Sequence, residues 1–168
     1  MNKFLFVPLL IVGLLIGCTS QVSLDPVEID GDVESCAECN MGINEIEHAT
    51  QVILEDGTPK IYDDIGCMVI DLNENDENVG IGYVHDHDSG EWIDMKEATY
   101  VQESTIHTPM NYGIIAFESG DDANSFQAAH GGDIFSYDEL LQLNILDLKH
   151  GDEHDHDHHG EESDSHDE

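Results

Sequence analysis

The stretch ATQVILEDGTPKIYDDIGCMVIDL, residues 49–72, carries the reading of the fold. Two apolar runs, Ala49–Leu54 and Pro59–Tyr62, flank Glu55-Asp56-Gly57 and predict two strands joined as a hairpin. Asp63 and Asp64 then open a helix, in which Ile65, Met68, Val69 and Leu72 stand at i, i+3, i+4 and i+7 on one apolar face. Cys67 lies in its first turn and off that stripe, so its spacing predicts no core role. A helix N-terminus lowers a thiol's pKa, which leaves Cys67 open as a ligand or as a free thiol.

Working outward, Val79–Val84 and Gly113–Phe117 predict further strands. Ser119-Gly120-Asp121-Asp122 has the form of a capping box, with Ala123, Phe126 and Ala129 behind it and Gly131-Gly132 to stop the helix. Ser136-Tyr137-Asp138-Glu139 is a second box, after which Leu140 to Leu148 are expected to continue helically. Strand–strand–helix–strand thus occurs about twice, which predicts an α+β fold of two small ββαβ-like halves.

The ends read differently. Phe4 to Ile16 is an apolar run of secretory length, short for a membrane span, and Leu15-Ile16-Gly17-Cys18 has the form of a bacterial lipobox. The expected layout is a lipoprotein signal peptide at 1–17, a lipidated tether at 18–34, a folded domain at 35–148 and a disordered tail at 149–168. Acylated at Cys18, the chain is expected to sit in the bilayer at the extracytoplasmic face of the cell membrane. The tether, fully extended, spans roughly 60 Å between Cys18 and Cys36. From His150 on, 6 His and 9 acids stand without one large apolar residue, too little to repay the entropy of folding.

The chain holds 38 Asp and Glu against 4 Lys and no Arg, a net charge of −34. That excludes nucleic acid as a partner, because phosphate contacts need Lys or Arg. Twenty-nine of the 38 acids precede the tail, so the charge is spread along the chain and points to adaptation to high salt. A hydrophobic share of 39% excludes a wholly disordered protein, and four Cys are too few for a disulfide scaffold.

With Cys18 lipidated, Cys36, Cys39 and Cys67 remain, an odd number that leaves at least one thiol unpaired. Cys36-Ala-Glu-Cys39-Asn-Met41 places two thiols and a thioether within one short stretch. Such a soft donor set selects Cu(I) over Mg2+ or Ca2+, and thioether is rare on Zn2+. A structural disulfide, a zinc pair and a thioredoxin-like redox centre remain other readings of the pair. The last lacks an apolar strand before Cys36 and a helix start after Cys39. His107-Thr108-Pro109-Met110 falls in a loop, where Met110 and His107 are open as ligands or as ordinary packing. Met95 has no Cys neighbour. His85-Asp86-His87-Asp88, before Ser89-Gly90, could hold metal, but exposed turn residues are the simpler reading. The tail histidines are either a solvated end with incidental metal affinity or a metal-gathering antenna.

Taken together the motifs are similar to those of the NosL family, over roughly residues 33–147. The likeness rests on the lipobox, on Cys36-x-x-Cys39-x-Met41-x-Ile43, on Tyr62-Asp63-Asp64-Ile65-Gly66-Cys67 and on Gly90-Glu91-Trp92-Ile93-Asp94. It continues in Ala98-Thr99-Tyr100-Val101, Thr108-Pro109-Met110-Asn111-Tyr112-Gly113, Ala116-Phe117 and the Ala123/Phe126/Gly131-Gly132 stretch. The resemblance implies a Cu(I) chaperone outside the cytoplasm that supplies the copper–sulfide centre of nitrous oxide reductase. It also implies partnership with that enzyme and with its membrane ABC-type maturation complex. It implies two ββαβ-like halves, similar in shape to organomercurial lyase. Carried over by position, Cys39, Met41 and Met110 lead the copper candidates, Cys36 follows and Cys67 stands behind. The extreme acidity and the His/Asp tail depart from the family pattern.

No catalytic motif stands beside these residues: Gly-x-Ser-x-Gly and Gly-x-x-x-x-Gly-Lys-Ser/Thr are both missing. The expected function is therefore cargo binding without catalysis. The alternative is a lipoprotein that buffers Zn2+, Ni2+ or Cu2+ through its His-rich tail. A third reading is a thiol-dependent redox or carbon–metal lyase activity using Cys36, Cys39 and Cys67.

Overall fold

The computed structural model describes residues 22–31, 33–75 and 77–148; the leader, Cys18 and the His/Asp tail lie outside them. The expected hairpin is present. Strand β1 (Thr50–Leu54) pairs antiparallel with β2 (Pro59–Tyr62), from Thr50↔Tyr62 to Ile53↔Pro59. Gly57 closes the turn at φ +87, a conformation open to glycine because it lacks a Cβ.

Helix α1 (Ile65–Glu74) follows, and Asp64 caps it by accepting a hydrogen bond from Cys67 N at 3.0 Å. Its predicted stripe faces inward: Ile65, Met68 and Val69 are buried and Leu72 packs at the margin. Strand β3 (Val79–His85) then pairs with β1, and β4 (Trp92–Asp94) with β3, giving a sheet in the order β2-β1-β3-β4. The second half repeats the scheme. Strands β5 (Thr99–Gln102) and β6 (Ile114–Phe117), helix α2 (Gly120–His130) and β7 (Asp133–Ser136) build a sheet in the order β6-β5-β7. In both halves the first strand is central and the strand after the helix pairs on its other side, all antiparallel. The two ββαβ halves of the α+β fold are thus present, with β4 added to the first.

Both expected caps start helices, but only the second is a reciprocal capping box. Ser119 accepts from Asp121 N and Asp122 N at the start of α2, and Gly131 ends it at φ 89. The Glu139 carboxylate accepts from Ser136 N at 2.9 Å and Ser136 Oγ at 2.7 Å. The helix over Leu140–Leu148 is a correction. Helix α3 (Tyr137–Leu140) stops after one turn, and a separate 3-10 turn covers Ile145–Leu148. Asn73 Nδ2 donates to Leu141 O at 3.0 Å and draws that carbonyl out of the ladder. Asn144 binds the Asp147 carboxylate at 2.7 Å and starts the turn anew.

Within the stretch read as a tether, Val27 and Ile29 pack against Ile43, Ala49 and Ile61. Gln51 holds Val27 through both ends of its amide, accepting from Val27 N at 2.8 Å and donating to Val27 O at 3.1 Å.

The main core spans both halves, with Val52, Met68, Val69 and Val84 from the first and Tyr100, Tyr112 and Ala116 from the second. Met95 is wholly buried within it. Asp86 stitches the halves together. Its carboxylate accepts from Glu118 N at 2.8 Å, Ser89 N at 2.9 Å and Ser89 Oγ at 2.7 Å, while its backbone bridges to Ala116. Burial alone would raise its pKa, but these donors outweigh burial and hold it below the usual value. Asp86→Ala is expected to cost about 2 kcal/mol, because it removes the shared acceptor of two backbone amides and the Ser89 hydroxyl. Urea unfolding of the variant beside wild type measures this.

Candidate metal centre

Residues 36–41 form a tight loop closed by the bridge Ser35↔Gly42. Cys36 N donates to Met41 O at 2.8 Å, and Asn40 N to Cys36 O at 2.9 Å. Asn40 sits at φ 61, a left-handed position that asparagine tolerates better than most residues. Ala37 N donates to Ile61 O at 2.8 Å and moors the loop to β2. The next residues along β2 lead through Tyr62 to Asp63 and Asp64, and so to the first turn of α1 and Cys67.

One side-chain ligand atom from each of Cys36, Cys39, Asp63 and Cys67 lies within 4.8 Å of all the others. Cys36, Asp63 and Cys67 are buried, and Cys39 is half-buried at the mouth. All three cysteines are free thiols. Cys39 Sγ donates to Asp63 Oδ2 at 3.4 Å. Asp63 Oδ1 is buried with no partner among the described residues, an orphan acceptor suited to a cation.

The thiols share protons unevenly. A hydrogen bond from Cys67 is the largest influence on Cys36 and, against burial, brings its pKa down to about 7. Burial first, and then the neighbouring Cys36, push Cys39 up to about 11. Cys67, donating to Cys36 and buried, is pushed far higher still. The trio therefore gives up its first proton readily and holds the other two.

A polar network braces the site from behind. Tyr62 OH donates to Asp71 Oδ2 at 2.7 Å, and Lys60 Nζ reaches Asp71 at 2.5 Å and Glu77 at 3.0 Å. These contacts join β2 to α1 on either side of Asp63.

Met110 reaches the same region through Asp64. The Asp64 Oδ2 atom accepts from Met110 N at 3.2 Å and from Thr108 Oγ1 at 3.3 Å, while Oδ1 caps Cys67 N. One carboxylate thus ties the Thr-Pro-Met loop to the helix end that carries Cys67. Burial, helped by the Asp63 charge and opposed by these donors, raises the Asp64 pKa to about 6. Met110 packs half-buried against the core cluster that contains Cys36 and Cys67. Met41 is 46% exposed beside Cys39. His107 stands apart, with its Nε2 3.4 Å from the Glu45 carboxylate.

Two expectations change. Cys67 belongs to the core, 1% exposed, because the 36–41 loop covers the flank of α1 that the helical stripe leaves open. Asp63, read only as a helix opener, joins the sulfur cluster. A signal for it was present, since two consecutive Asp stand where one suffices to cap.

Among the described residues no helix is long and apolar enough to cross a membrane. A comparison with curated proteins finds no match. The fold is similar to the crystal structure of the copper chaperone NosL from Shewanella denitrificans, with a TM-score of 0.63 and 22% sequence identity. The match covers 71% of this chain and 98% of that one. The model of the NosL family matches residues 26–144, a span that takes in the whole sulfur–carboxylate cluster and the Met110 loop. The chain belongs to the NosL family.

Proposed function

We propose that the protein is a lipid-anchored Cu(I) chaperone of the cell membrane's outer face, with Cys18 as its anchor. Its client is nitrous oxide reductase, to which it supplies copper for the copper–sulfide centre together with a membrane ABC-type maturation complex. The observation that carries the reading is the convergence of three free thiols and one carboxylate within 4.8 Å. Soft sulfur donors favour Cu(I), a low-coordinate ion.

Copper is cargo here, not a resident cofactor. Cys39 and Met41 stand at the accessible edge and receive the ion. Cys36, the most acidic thiol of the trio, offers a thiolate near neutral pH. Met110 completes the rim with a thioether, which needs no deprotonation. Cys67 forms the back wall and steadies the Cys36 thiolate. As copper binds, the Cys39 proton leaves through Asp63 Oδ2, its nearest acceptor, to solvent. A client thiol or imidazole then attacks the open side, and the ion passes on by ligand exchange. No substrate bond is broken.

Anaerobic titration with Cu(I) against a calibrated chelator is expected to give one ion per chain. Affinity is expected to rise with pH, because protons compete for the sulfurs. Between about pH 8 and 10, with Cys36 ionised and Cys39 still protonated, one displaced proton gives about tenfold per pH unit. A flat pH profile, or binding lost entirely on deleting residues 150–168, would overturn the site in favour of the tail. Cys18→Ala is expected to release the protein from membranes.

A further inference from the structure

Residues 22–31 lie along one face of the first sheet, and their contacts run in chain order from one end of it to the other. At the hairpin turn, Val22 Cγ1 lies 2.8 Å from where a Cβ on Gly57 would stand, a space that glycine leaves free. Leu24 O then accepts from Tyr83 OH at 3.0 Å. The Gln51 amide holds Val27 at both its backbone groups, and Ile29 ends the run against Ile43, Ala49 and Ile61. Ser35 pairs with Gly42 directly before Cys36, at the sulfur cluster.

Together these contacts make a strap. Gln51 and Tyr83 stand opposite each other in the β1–β3 register, so both side chains leave the same face of the sheet. Val52, one residue on, points the other way and packs in the core with Met68 and Val69 of α1. The strap therefore covers the face turned away from α1. Gln51 is wholly buried, and lifting the strap would leave both ends of its amide without their partners, which is unfavourable. The two ends of the hairpin differ in what they carry. The turn at Gly57 meets the start of the strap, whereas the copper mouth lies at the opposite end, where Ala37 N moors the 36–41 loop to Ile61 O. Between Gly57 and Tyr62 the strand rises about 17 Å.

We infer that the strap orients the domain on the bilayer, with the hairpin turn held at the membrane surface and the copper mouth presented away from the lipid. The inference rests on Cys18 being the anchor, as proposed above. Only Thr19, Ser20 and Gln21 separate Cys18 from the strap, at most about 14 Å of chain. Without the strap, the chain would join the domain beside Cys36, and the copper mouth would be the end tied to the membrane. With it, the tie moves to the other end of the hairpin. The partner that takes the ion therefore meets it off the bilayer but within about 30 Å of the surface, as the extracytoplasmic part of a membrane-held protein does. Glu55 and Asp56 at the turn suit neutral headgroups, because anionic ones would repel them.

Energy transfer from tryptophan to a dansyl-headgroup lipid tests this, with the full lipidated chain on phosphatidylcholine vesicles. Strand β3 runs from Val79, beside Leu54, past Tyr83, beside Gln51, to His85, which pairs with Trp92. Trp92, the single tryptophan of the chain, thus reports the copper end of the sheet. Thr58→Trp with Trp92→Phe moves the donor to the exposed hairpin turn. Transfer is expected to be at least about threefold stronger from position 58, because about 17 Å of strand separates the two ends. Equal transfer from the two positions in vesicle-bound protein, or stronger transfer from Trp92, overturns the inference and leaves the anchor standing. A chain that stays in solution defeats the anchor, and this inference with it. With Gly and Ser in place of residues 22–29, at the same length, the order is expected to reverse, and a preserved order overturns the strap's role. Hydrogen exchange reads the strap without lipid: the Val27 amide is expected to exchange at least about tenfold more slowly than in an unstructured peptide of the same sequence, and equal rates overturn the inference.

Discussion

Cys39→Ser is expected to weaken Cu(I) binding by more than about 100-fold, beyond the loss usual for a metal's outer-shell partners. Serine replaces a soft donor with a hard one that stays protonated at neutral pH, so little affinity for a monovalent soft ion remains. The side chain is half-buried at the mouth of the site, and the change is nearly isosteric, so folding is expected to survive. Met110→Leu keeps the volume and removes only the thioether, with an expected loss of about tenfold. Competition with a calibrated Cu(I) chelator measures both, and thermal unfolding of the metal-free variants shows that the fold is intact. Wild-type affinity in both variants would remove these residues from the site.

The second large effect falls on a residue that need not touch the ion. Asp64→Ala is expected to cost about 3 kcal/mol of stability, from a lost helix cap and the orphaning of Met110 N and Thr108 Oγ1. The penalty is expected to grow as pH falls from about 6 towards 4. The folded carboxyl titrates at about 6 and the unfolded one at 3.8, so the folded state takes the proton first. Acidification through that window therefore stabilises wild type relative to the variant. Urea unfolding at several pH values tests the sign, and a penalty that shrinks on acidification contradicts it. Copper affinity should fall as well, because the Met110 loop loses its tie to the helix that carries Cys67. Asp64→Asn, which keeps the Oδ1 cap, should retain more of the helix than of the loop contact.

The elements that were legible in advance are those with strong local chemistry. The β1–β2 hairpin, α1 with its stripe, and the Ser119 and Ser136 caps follow from alternation, from i, i+3, i+4 spacing and from side-chain acceptors for helix amides. Strands β5 and β7 carry no such mark. Each is four residues long and becomes a strand by pairing with the other, from Thr99↔Ser136 to Gln102↔Asp133. The break after Leu140 was equally hidden, since it depends on Asn73, far away in the chain.

The candidate metal centre divides in the same way. Cys36, Cys39 and Met41 lie close together in the chain, so residue type and spacing alone suggest a soft donor set. Their chemistry travels with the side chains and needs no fold. Which distant groups join them is another matter. Cys67 enters because a loop 30 residues earlier folds over its helix, and Asp63 because that loop is moored to β2. Tertiary packing alone sets these contacts, and with them the proton sharing that makes Cys36 the readiest thiolate. Local sequence encodes bond-scale preferences, whereas a binding site needs atoms from several segments at one point, and only the folded chain supplies that coincidence.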